Sequence, residues 1–226
     1  MKKEAWFTII HLVFTLNTII QQPIKTNNIN DMKTILYIHG YRSDSHARKA
    51  KELKEMFPEC KIVVPDLAYN HYTAQEMSAQ IKEIVEREHV DMIVGSSLGG
   101  FFALCTTQWF EGPVWGINPA IHPVEQFNKH IVPKLQKRSP QLMPIAMKNL
   151  ESYQKCEDEV FAKLPQRNHQ INLALCTDDE TLGDHKDTVA AFPNADQVVW
   201  QDNSGHHCTR FPELKPFLQR TLDGIV

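Results

Sequence analysis

Residues 95–99 read Gly-Ser-Ser-Leu-Gly and directly follow the apolar run Met92-Ile93-Val94. In that position a Gly-x-Ser-x-Gly pentapeptide describes a strand that stops and turns at once into a helix. Its central residue, Ser97, is held at the tip of the bend in a strained conformation. The flanking glycines suit the bend because a Cβ at either would collide with the neighbouring strand or helix. The following segment, Gly100-Phe101-Phe102-Ala103-Leu104-Cys105, is apolar enough for a helix buried beneath a sheet.

From Met32 onward the chain alternates short apolar runs with longer amphipathic ones. Thr34 to Ile38 is a run of β-formers closed by His39-Gly40. The spacing of Ala47, Ala50, Leu53 and Phe57 predicts a helix over 43–57. Lys61 to Val64 reads as a second strand. Thr73 caps a helix that runs to Glu88, with Glu76 completing a capping box. Met92 to Gly95, Val114 to Ile117, Ile171 to Cys176 and Gln197 to Trp200 supply four more strands. A last helix is expected from Pro212 to about Leu222, its start disturbed by Pro216. Trp109, Trp115 and Trp200 fall in or beside these elements and read as packing residues.

Continuous apolar strands alternating with helices predict an α/β fold, a mostly parallel six-stranded sheet covered by helices on both faces. Right-handed crossovers then bring every strand's C-terminal end to one edge, where ligands bind in such folds. Residues 123–168 interrupt the alternation with a long, Pro-dotted helical stretch between strands four and five, placed to act as a lid. The 226 residues fit one domain, assigned to 32–226. Residues 1–31 read as an extension outside it: a basic start and an apolar run from Ala5 to Ile20 look signal-like, but no small-x-small cleavage site follows, and Met32 is an alternative start. That run is also shorter than the ~20 residues a membrane span needs.

Composition narrows the partners. A net charge of −3 without any basic stripe argues against nucleic acid. Five scattered cysteines, never spaced Cys-x-x-Cys, support neither a disulfide framework nor a zinc site, and fit a reducing cytosol. A serine hydroxyl is a poor nucleophile until a base takes its proton, so Ser97 calls for a histidine. Asn203-Ser204-Gly205-His206-His207-Cys208, after the last strand, offers His206, with His207 as the fallback. A triad also needs an acid to fix the imidazole. Thr177-Asp178-Asp179-Glu180 ends strand five, and the order serine, acid, histidine fits Asp179, with Asp184 and Asp178 behind it. The backbone N–H groups of Tyr41 and Leu98 are the candidate oxyanion donors. His39 reads as a loop-bracing residue rather than the base.

The collinear set Tyr37-Ile38-His39-Gly40-Tyr41, Gly95-Ser96-Ser97-Leu98-Gly99-Gly100-Phe101, Asn118-Pro119-Ala120, Thr177-Asp178-Asp179-Glu180 and the Gly-His loop resembles the YqiA/YcfP-type small esterases of the α/β-hydrolase superfamily. So does the Ser-rich start of the first helix, Ser43 to Ala50. The likeness runs from Met32 to the C-terminus and implies Ser97 as nucleophile, Asp179 as acid and His206 as base. Two departures stand out: Asp178 where the family commonly has Gly, and Gly205 where it has Asn.

The resemblance implies hydrolysis of a small-molecule carboxylic ester, with acyl thioesters such as acyl-CoA as a further candidate, through an acyl-enzyme on Ser97. No metal or organic cofactor is called for. A peptidase or acyltransferase on the same scaffold shares the triad chemistry, and a non-catalytic interaction protein retaining the fold is the alternative from another class.

Overall fold

The structure, a computed structural model, describes residues 32–159, 161 and 170–224. The 1–31 extension and the end of the 123–168 insertion lie outside the described residues. The six expected strands form one parallel sheet: β1 (Thr34–Ile38), β2 (Lys61–Val63), β3 (Met92–Ser96), β4 (Val114–Ile117), β5 (Ile171–Cys176) and β6 (Gln197–Gln201), in the order β2-β1-β3-β4-β5-β6. The helices are α1 (Arg48–Met56), α2 (Ala74–Glu88), α3 (Leu98–Thr106), α4 (Pro123–Gln126), α5 (Val132–Arg138), α6 (Met143–Glu159), α7 (Lys186–Ala191) and α8 (Lys215–Leu222).

Strand periodicity builds both faces. Ile35 and Tyr37 of β1 pack with Ala50 and Leu53 of α1 and Leu214 and Leu218 at the C-terminus. Leu36 and Ile38 point the other way, against Met77 and Ile81 of α2 and Phe101 and Phe102 of α3. Alternating side chains of one strand therefore serve two cores, which is why its sequence is continuously apolar from Ile35 to Ile38. At β6 the rule ends. Val198 and Trp200 are exposed, Trp200 by 46%, on β6, which is an edge strand of the sheet. Trp200 is thus not a core residue, whereas Trp115 is fully buried.

Helix ends follow side-chain chemistry. Thr73 accepts the Glu76 N–H at 3.3 Å while Glu76 accepts the Thr73 N–H at 2.8 Å, the expected capping box. The first helix starts at Arg48 instead of Ser43. Asp44 turns the chain back on itself by accepting the His46 N–H at 2.8 Å, and this local bond competes with helix. The last helix begins as a 3₁₀ turn, Phe211–Leu214, before α8, as its prolines require. Residues Pro123 to Glu159 form α4, a π turn (Phe127–Ile131), α5, a 3₁₀ turn and α6 between β4 and β5.

The chain leaves β1 toward β2 on one side, and β3 toward β4 on the other. The loops after β1 and β3 therefore meet where the strand order reverses, the place where a crevice opens in such sheets.

Candidate active site

Ser97 sits between β3 and α3 with φ 56° and ψ −122°, a conformation that L-residues rarely adopt. The bend survives because its neighbours are glycines. A Cβ on Gly99 would lie 2.2 Å from the Ile38 carbonyl oxygen and 2.4 Å from that of His39. One on Gly95 would lie 2.2 Å from the Gly99 oxygen. Backbone atoms cannot move aside cheaply, so Gly99→Ala is expected to destabilise the protein by about 3 kcal/mol or more. Chemical denaturation checks this, and a change below about 1 kcal/mol would contradict the packing described.

The last loop brings His206 to the serine. Its Nε2 is 3.1 Å from Ser97 Oγ, and its Nδ1 is 2.9 Å from Asp179 Oδ2 and 3.1 Å from Oδ1. Nδ1 therefore carries the proton toward the carboxylate, leaving Nε2 to accept from the serine hydroxyl. Asp179 is buried and takes further hydrogen bonds: Thr181 and Leu182 N–H at 2.8 Å, and His185 Nε2 at 2.9 Å. Burial alone pushes its pKa up. The donors from His185 and His206 outweigh that and hold the carboxyl well below the usual carboxylate range.

The other candidates lie elsewhere. His207 is exposed, and its carbonyl accepts a hydrogen bond from Arg48 at 2.7 Å. Asp184 binds Lys186 through the backbone N–H and the ammonium. Asp178 accepts the N–H groups of Ser204 (3.0 Å) and Gly205 (2.9 Å), and these donors hold its pKa below the usual range. Glu180 accepts the N–H of His206 at 2.9 Å. The acidic cluster thus fastens the histidine loop to the end of β5 by three carboxylates with three different tasks. Gly205 has φ 60°, a left-handed position that Asn also tolerates, which accounts for the departure noted there.

Two further residues bear on this geometry, His185 and the Asn118 of the Asn118-Pro119-Ala120 motif, and the sequence assigns neither of them a role. His185, itself left-handed at φ 57°, supplies Asp179 with its second imidazole donor. Asn118, at φ 42° after β4, accepts the Cys176 N–H at 2.8 Å and donates to the carbonyls of Gly205 and His206 at 3.2 Å. It ties the loop bearing the acid to the loop bearing the base. An Asn directly before Pro119 at a strand end is the one available hint, since Asn tolerates the left-handed region.

The β1 loop closes against the serine. A Cβ on Gly40 would sit 3.2 Å from Ser97 Cβ and from the Ser96 carbonyl oxygen, crowding that glycine avoids where the Gly40–Tyr41 peptide approaches the serine. Buried His39 braces this peptide. Its Nε2 accepts the Leu67 N–H at 3.1 Å, which leaves the proton on Nδ1 to donate to the Gly40 carbonyl at 2.9 Å. Leu98, the first residue of α3, has a backbone N–H with no intrahelical acceptor. Tyr41 and Leu98 line a cavity of about 160 Å³ with Ser97 and His206; Ala120, Pro123, Phe127 and Ile131 make it mainly apolar. Among the described residues no group of three His, Cys, Asp or Glu is arranged to hold a metal ion, and no helix is long and apolar enough to cross a membrane.

Solved structures share this architecture. MGS-MChE2, an alpha/beta hydrolase enzyme from a metagenome of sediments of the Mar Chica lagoon, Morocco, superimposes with a TM-score of 0.63 at 17% identity, covering 86% of this chain and 92% of that one. Est1E from Butyrivibrio proteoclasticus gives 0.63 at 15% identity over 87% and 91%. A monoacylglycerol lipase from Paleococcus ferrophilus gives 0.59 at 14% over 85% and 93%. Identities this low speak to the fold, and the fold is that of the α/β hydrolases. One family model, described as uncharacterised protein family UPF0227, matches residues 34–223.

Proposed function

We propose that this chain, which belongs to the UPF0227 family, is a serine hydrolase that cleaves carboxylic esters through an acyl-enzyme on Ser97. The observation that carries the reading is the unbroken relay from Ser97 Oγ through His206 to buried Asp179. Carboxylesterases and lipases among proteins of the same fold agree with it.

Ser97 Oγ attacks the ester carbonyl carbon as its proton passes to His206 Nε2. The carbonyl π pair moves onto oxygen, and the N–H groups of Tyr41 and Leu98 stabilise that charge. Asp179 stays ionised and stabilises the imidazolium. When the tetrahedral species collapses, the carbon–oxygen bond to the leaving alcohol breaks and His206 gives that oxygen its proton. A water, deprotonated by the same Nε2, then releases the acid and restores Ser97. An acyl thioester follows the same steps with sulfur leaving.

A fluorophosphonate probe tests the nucleophile. The folded protein is expected to be labelled at Ser97 and the Ser97→Ala variant to stay unlabelled; an unlabelled wild type would sink the proposal. A chain-length series of p-nitrophenyl esters and acyl-CoA thioesters then defines the acyl group and the leaving atom.

A further inference from the structure

Ser97 is bordered by a second cavity, of about 290 Å³, and its character differs from the apolar one. Arg42, Ser43, Lys49 and His207 line it together with Ser97 and His206. Three cations border this space, and their situations differ. Arg48 is already neutralised: it pairs with Glu52 and donates to the carbonyls of His207 and Cys208 at 2.7 and 3.0 Å. Arg42 and Lys49 have no carboxylate or hydrogen-bond partner among the described residues.

Lys49 is the informative one. Burial pulls its pKa down and the Arg48 charge adds to the shift, while Cys208, Cys176 and Glu52 offset part of it. Glu52 is already paired with Arg48, and among the described residues no carboxylate lies within ion-pair distance of the Lys49 ammonium. Such an arrangement is costly unless something anionic meets it. The fully buried thiols of Cys176 and Cys208 and the Arg48-paired carboxylate of Glu52 are its other polar neighbours. An anion entering the cavity would neutralise Lys49 and reach the exposed Arg42 as well.

The two cavities divide the substrate. The apolar one suits an acyl group. Ser97 and His206 border both cavities, so once the acyl group takes the apolar one, the cationic one is left for the half that departs with a proton from His206. We infer that this cavity binds an anionic group, a carboxylate or a phosphate, on the alcohol or thiol half of the substrate, with Lys49 as its principal contact and Arg42 at its mouth. The inference rests on the esterase reading above.

Three butyrate esters test it: 4-butyryloxybenzoate, 4-butyryloxyphenyl phosphate and the neutral 4-butyryloxybenzamide. The quantity read is the ratio of kcat/KM for each anionic ester to that for the amide. In Lys49→Met the ratio for at least one anion is expected to fall about tenfold, mostly through KM, while Lys49→Arg retains it. The anion with the larger fall identifies the group bound. Ratios unchanged in Lys49→Met for both anions would overturn the subsite. Should Lys49→Met not fold, the same ratios in Arg42→Gln decide it, together with wild-type inhibition by the products. 4-Hydroxybenzoate or 4-hydroxyphenyl phosphate is expected to inhibit more strongly than 4-hydroxybenzamide, and equal inhibition overturns it. If the wild type cleaves none of the three esters and Ser97 takes no fluorophosphonate, it is the esterase reading that fails. Turnover of all three with unaltered ratios removes the subsite alone.

Discussion

Replacing Ser97 with alanine is expected to lower kcat for ester hydrolysis by about 10⁵- to 10⁶-fold, and adding His206→Ala to cost little more. Without the hydroxyl there is no proton for Nε2 to take, and without the imidazole the hydroxyl stays a poor nucleophile. Either loss alone removes the whole covalent route, so the two penalties overlap instead of adding. Alanine preserves the fold better than most choices, because the strain at φ 56° is a property of the backbone and the Gly99 packing, not of the hydroxyl. KM for the same ester is expected to change little, since the apolar cavity beside Leu98 and Phe127 is untouched. Steady-state kinetics on the two single variants and the double variant check this. Losses that multiply to about 10¹⁰ would mean that Ser97 and His206 act independently, contrary to the relay.

How legible this site is from sequence depends on whether its geometry is local. The nucleophile turn is set by five consecutive residues, so Ser97 can be read directly. The strands are legible for a related reason: a parallel strand buried on both faces is apolar along most of its length, as β1, β3 and β5 are, with Asn172 the polar exception inside β5. Trp200 shows the limit, because nothing in Gln197-Val198-Val199-Trp200 says that this strand lies at an edge. The acid was ambiguous because four carboxylates crowd into seven residues and local sequence does not distinguish them. What sorts them lies more than twenty residues away, where the amides of Ser204 and Gly205 take Asp178 and that of His206 takes Glu180. The roles of His185, and of Asn118 within its Asn-Pro-Ala motif, are hidden for a like reason. Each acts through a left-handed backbone position whose partners become visible only once the loops are assembled.

Asp179→Asn is the second large expected effect, a loss of about 10⁴-fold in kcat with the geometry near Ser97 preserved. Asp179 receives four donors: the Thr181 and Leu182 amides, His185 Nε2 and His206 Nδ1. A carboxylate can accept all of them, whereas an asparagine carries two N–H groups of its own and sets donor against donor. The relief open to His206 is to move its proton to Nε2, which then faces Ser97 Oγ as a donor and can no longer act as a base. Asp184→Asn, whose side chain is bound by Lys186 and, among the described residues, hydrogen-bonds neither His206 nor Ser97, is expected to stay within about twofold of wild type, separating the two candidate acids by kinetics. Stability gives an independent readout with a definite sign. A carboxyl whose folded pKa is depressed stabilises the protein above its unfolded pKa, near 3.9, and that contribution is lost as pH falls through the folded value. The stability gap between wild type and Asp179→Asn is therefore expected to be full at neutral pH and to narrow steadily below about pH 5. Denaturant unfolding across that range measures it. A gap that widened on acidification would show that Asp179 is not held ionised by its donors, and would take the imidazolium-stabilising role away from it.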